Sequence, residues 1–135
     1  MEEKNLQVTS NVGLYYVCYK LSLQGWNAMP TARNAKGVDI IAYNSDCSKM
    51  ISIQVKTLSK RNAVPLGRDL GKVMGNYWII VNEIDKEPKT FVLIPEEVKK
   101  LAEKREKEGQ VSYWLQVKSY SNEEYFEKWD RIGEI

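Results

Sequence analysis

Three polar residues stand in stretches that are otherwise apolar. Asp39 lies in Val38-Asp39-Ile40-Ile41, and Gln54 and Lys56 lie in Ile53-Gln54-Val55-Lys56-Thr57. Charged side chains are seldom buried among Ile and Val unless they are paired or bound to something. A carboxylate and an amide oxygen are hard donors of the kind Mg²⁺ accepts, usually while it keeps several waters. A lysine beside them could neutralise charge developing on a phosphate, and metal-bound water could serve as a nucleophile. The same residues also read as a structural set, an Asp39–Lys56 ion pair at a sheet end bridged by Gln54. Spacing alone leaves both readings open.

The elements that must position these residues form a hairpin. Residues 38–43 are a mostly apolar run, expected as a strand covered on both faces. Residues 44–48, Asn-Ser-Asp-Cys-Ser, are turn-like. Residues 50–57 alternate, with Ile51, Ile53 and Val55 facing one way and Ser52, Gln54 and Lys56 the other. A turn centred on Asp46 and Cys47 pairs residues whose numbers sum to about 93. Asp39 then lies across from Gln54, on a face shared with Lys56, Ser52 and Ile41.

Around the hairpin, a first helix is expected over 9–24, with Leu14, Val17, Cys18 and Leu21 as its buried stripe. Thr9, Ser10 or Asn11 would cap its start and Gly25 would end it. Residues 26–32 read as an edge strand because of Pro30. Residues 59–75 read as a basic loop with room for a helical turn. Strands follow at 77–82 and 90–94. Pro95, Glu96 and Glu97 open a helix expected to run to Gly109, which makes the charge run 99–108 its solvated face. A last strand is expected over 111–117, and Ser121 with Glu124 has the spacing of a capping box for a short helix. The expected order is α-β-β-β-β-β-α-β-α, a single α/β domain over 1–135 with one central mixed β-sheet flanked by helices.

Composition narrows the chemistry. The chain has no histidine, which excludes imidazole-based triads and most zinc sites. Its two cysteines read as free thiols. The opening residues Met1-Glu2-Glu3-Lys4 lack a signal-peptide pattern, and no apolar run reaches membrane-span length, so a cytoplasmic protein with no membrane contact is expected. Residues 1–76 hold 10 Lys/Arg against 5 Asp/Glu and residues 77–135 hold 10 against 13, a split of +5 and −3. That asymmetry suggests a basic face in the first part.

Read together, the helix ending Leu21-Ser22-Leu23-Gln24-Gly25-Trp26, the Gly37-Val38-Asp39-Ile40-Ile41 strand and the Ile53-Gln54-Val55-Lys56-Thr57 strand resemble the core of PD-(D/E)xK nucleases. These include restriction endonucleases and Holliday-junction resolvases. The resemblance implies a restriction-endonuclease-like fold and a metal-dependent DNA endonuclease. It casts Asp39, Gln54 and Lys56 as catalytic residues. Asp39, Gln54 and the backbone carbonyl of Val55 would be the ligands of Mg²⁺ or Mn²⁺. Arg33, Lys36, Lys60, Arg61, Arg68 and Lys72 would contact DNA phosphates, and a homodimer would reach both strands. Leu14 stands where many relatives carry a glutamate. With Gln54 in the D/E position, Asp39 remains the single carboxylate of the set. This departure also admits a nucleic-acid-binding module with little cleavage. With the polar centre as an internal ion pair and the tyrosines as an interface, the chain would instead be a structural or regulatory partner protein.

Overall fold

In the computed structural model, which describes residues 5–32 and 37–133, the chain begins with helix α1, Leu6–Leu23. Asn5 caps it by accepting from the Val8 N–H at 2.8 Å, so the helix starts ahead of the expected Thr9–Asn11 caps. Thr9 is instead buried within it. Gly25 follows the helix in the left-handed conformation, φ 94°, as a helix stop requires.

Strands β1 (Asn27–Pro30), β2 (Ile40–Tyr43) and β3 (Met50–Thr57) form an antiparallel meander. Pro30 sits on the edge strand, where the missing N–H costs no ladder bond. The expected register holds: Ile40 faces Ile53 and Tyr43 faces Met50. β3 then pairs in parallel with β5 (Tyr77–Asn82), and β5 pairs antiparallel with β6 (Lys89–Leu93). The result is a five-stranded mixed sheet in the order β1-β2-β3-β5-β6.

The rest departs from the expected single sheet. The stretch 59–75 is more than a basic loop. It holds strand β4 (Val64–Gly67), which buries Val64 and Leu66, and a 3₁₀ turn at Leu70–Lys72. The helix opened by Pro95 is α2, Pro95–Leu101, and it stops well short of Gly109. Ala102 turns extended, and the charge run continues as an exposed strand, β7 (Glu103–Lys107). Glu108 and Gly109 both have positive φ, 53° and 78°, as a two-residue hairpin turn needs. That turn folds β7 onto β8 (Gln110–Leu115). β4, β8 and β7 make a second, three-stranded sheet. The capping-box expectation at Ser121 also fails: Ser121 ends a one-turn helix α3 (Val117–Tyr120), and Asn122 accepts from the Glu124 N–H in a turn.

Two cores result, one on each face of the main sheet. Val17 and Leu21 of α1 pack on Ile40, Ile53, Tyr77 and Ile79. On the other face Trp78, Ile80 and Leu93 pack on Val64, Leu115, Val98 and Tyr120. β5 is buried at every position because it serves both. No helix among the described residues is long and apolar enough to cross a membrane.

Candidate functional site

The expected centre lies at the open end of the β2–β3 hairpin, opposite its turn. Asp39 directly precedes β2. Its N–H donates to Ile53 O at 2.9 Å, and its carbonyl accepts from the Thr31 N–H at 2.9 Å. Its carboxylate Oδ2 accepts from the Val55 N–H at 2.7 Å. A side chain thus takes the place of a ladder partner at the point where β2 and β3 part. Alternation along β3 turns the N–H and C=O of Val55 to this same side, so its carbonyl also lies beyond the last residue paired with β2.

α1 closes the opposite wall. Gly13 lies so close to β3 that a Cβ there would overlap Thr57 Oγ1. This approach brings Gln7, Ser10, Asn11 and Leu14 against Asp39, Val55, Lys56 and Thr57 around an open cleft of ≈ 380 Å³. Leu14 therefore stands in the cleft wall, where an acid would have added a second carboxylate.

Gln54 is held differently from what its spacing suggests. It faces the Asp39 side of β3, but its register partner on β5 is Trp78. The Gln54 amide oxygen accepts from the Trp78 indole N–H and from the Met74 N–H at 3.2 Å. Its amide nitrogen donates to Lys72 O at 3.4 Å. Both lone pairs of the oxygen are thus engaged by protein donors. Trp78 is buried, and a buried indole N–H requires an acceptor. The Lys56 Nζ sits 5.9 Å from the Trp78 ring centroid, within cation–π reach. Among the described residues, the ion pairs are Lys20–Glu127, Lys89–Glu83 and Arg131–Glu97, so the Asp39–Lys56 pair does not form. Trp78 and Met74 were not among the candidate residues. The one sequence signal for Trp78 is a tryptophan inside an apolar strand, where its N–H needs a partner.

The basic residues divide. Lys60 and Arg61 line a larger neighbouring cavity of ≈ 660 Å³ with Ser59, Lys86, Glu83 and Asp85, and Thr57 borders both spaces. The Lys89 ammonium donates to Glu83 at 2.8 Å and holds that carboxyl below its ordinary range. The carbonyl of Lys72 is beside Gln54. Arg68 is elsewhere, donating to Gln110 of β8 at 3.0 Å. Arg33 and Lys36 lie outside the described residues. Among the described residues no three His, Cys, Asp or Glu side chains cluster as a metal site. No protein-family model and no curated protein sequence matches the chain.

Proposed function

We propose that the cleft between α1 and the open end of the hairpin takes a nucleic-acid phosphodiester and hydrolyses it with Mg²⁺ or Mn²⁺, on a restriction-endonuclease-like scaffold. The observation that carries this reading is the meeting of Asp39, Val55 and Lys56 at one open cleft. Asp39 gives one carboxylate oxygen to the Val55 N–H and keeps the other. That oxygen and the Val55 carbonyl are hard donors, and they suit a cation that keeps waters and takes substrate phosphate oxygens as further ligands. When bound, such an ion would polarise the phosphoryl group and acidify a water. The Val55 N–H fixes the Asp39 carboxylate, and the Trp78 ring restrains the Lys56 ammonium beside the phosphate site. Gln54 acts in this reading as a brace between β3, β5 and the 72–74 loop. Lys60 and Arg61, across Thr57, extend the path for a phosphate backbone.

A second reading has a specific observation behind it. The Gln54 oxygen is engaged by Trp78 and Met74, which leaves the Asp39 carboxylate as the one side-chain donor of the expected metal set at the cleft. That donor set favours a nucleic-acid-binding module with little cleavage.

The test incubates the protein with supercoiled, linear, single-stranded and branched DNA in Mg²⁺ or Mn²⁺, beside Asp39→Asn and Lys56→Met. Cleavage lost in both variants supports the hydrolytic reading. Salt-dependent binding without cleavage under any condition supports the binding module. Cleavage indifferent to both substitutions removes this cleft as the site.

A further inference from the structure

α1 is apolar on two opposite faces. Its buried stripe is Thr9, Gly13, Val17 and Leu21. Half a turn away lies a second stripe: Val8, Val12, Tyr15, Tyr19 and Leu23, exposed by 41, 37, 62, 59 and 63%. The first four follow the four-three-four spacing of a helix–helix seam. A surface helix ordinarily carries charge on this side, and a helix apolar all round is ordinarily covered all round. Lys20 is the only charged residue among residues 6–23. It turns to Glu127 at 3.8 Å rather than to the stripe.

We infer that this face of α1 is a two-fold interface with a second copy of the chain. Three features select that occupant. The stripe carries no charge, so juxtaposing it with itself meets no like-charge repulsion. It is self-complementary: in an antiparallel pair, residues whose numbers sum to about 31 meet, placing Val8 against Leu23, Val12 against Tyr19 and Tyr15 beside the axis. Its area also reaches the lower end of the range for specific pairs. The five residues expose on the order of 500 Å² per copy, and flanking Asn11 and Ser22 bring the contact to roughly 600 Å² per partner. α1 also lines the cleft through Gln7, Ser10, Asn11 and Leu14, so pairing sets two clefts on either side of one seam. The inference itself does not depend on the cleft's chemistry.

The test is made on the full chain without nucleic acid. Light scattering on a sizing column is expected to give twice the 15.6 kDa chain mass across the micromolar range. Tyr15→Glu and Tyr15→Lys are each expected to run at the monomer mass with an unchanged far-ultraviolet spectrum. Mixing the two is expected to restore the dimer, because opposite charges then meet at the axis. A wild-type chain that stays monomeric overturns the inference, as does a dimer untouched by either substitution or a mixture that stays monomeric.

Discussion

Replacing Gln54 with leucine separates its bracing role from any role in the cleft. Leucine fills nearly the same volume but offers no acceptor. The Trp78 indole N–H, on a residue only 1% exposed, would be left without a partner. An orphaned buried donor costs about 1–3 kcal/mol. The Met74 N–H and Lys72 carbonyl are nearer solvent and can turn to water, so they add little. The expected destabilisation is therefore about 2 kcal/mol, a fall in melting temperature of roughly 7 °C for a chain of this length. Gln54→Glu keeps an acceptor for Trp78 but sets an oxygen against Lys72 O, and is expected to cost about 1 kcal/mol or less. The decisive measurement is a urea-denaturation double-mutant cycle with Trp78→Phe, which removes the donor itself. If the two side chains are bonded, Gln54→Leu becomes milder in the Trp78→Phe background, with a coupling of about 1–2 kcal/mol. Losses that add to within ~0.5 kcal/mol would show that the amide does not hold Trp78. The Gln54 oxygen would then be available to the cleft, and the case for a binding module would lose its support.

Three other outcomes follow from the geometry. Asp39→Asn keeps an oxygen to accept the Val55 N–H, so its melting curve should barely move; metal-dependent cleavage should fall by at least ~100-fold, because a bound metal supplies several kcal/mol of transition-state stabilisation. Gly13→Ala drives a methyl into Thr57 Oγ1 and is expected to cost about 1–3 kcal/mol in denaturant unfolding, with the cleft widened as α1 shifts. Burial, helped by a hydrogen bond with Glu124, raises Tyr125 from 10.0 to about 12. The folded chain then holds a proton that the unfolded chain releases, so this contribution is intact below about pH 10 and lost as pH rises toward about 12. Thermal melts across that window should steepen their decline, and Tyr125→Phe should flatten it.

The parts of the site that were legible in the sequence are those fixed by local pattern. The alternation of Ile51, Ile53 and Val55 against Ser52, Gln54 and Lys56 sets the faces of β3. The Asn44–Ser48 turn sets the register, which carries Asp39 to the end of the ladder, where it bonds Ile53 and Val55 on either side of Gln54. What escaped depends on contacts distant in sequence. β4 is four residues of a Gly- and Pro-containing loop until β8 pairs with it. β7 carries only charges, so it shows no strand alternation. Its Glu-Lys-Arg-Glu-Lys composition is equally a good helix, and the choice is made by the Glu108-Gly109 turn and by pairing to β8. The Gln54–Trp78 bond depends on the parallel register of β3 and β5, set by a crossover of about twenty residues that periodicity does not describe.

That bond also changes what the spacing of Gln54 and Lys56 means. The polar face of β3 is continuous with the face of β5 that carries Trp78 and Ile80 into the second core. A residue at position 54 must therefore do two things: face the cleft on one side and supply an acceptor to a buried indole on the other. A carboxylate could accept that bond, but its second oxygen would face the Lys72 carbonyl, where the amide nitrogen donates. An amide meets the structural demand without that cost, and it can donate to Lys72 as a carboxylate cannot. The presence of Gln54 thus follows from β5 as much as from the cleft. A catalytic reading of this chain stands on Asp39, Val55 and Lys56, with Gln54 as the group that holds their strand in place.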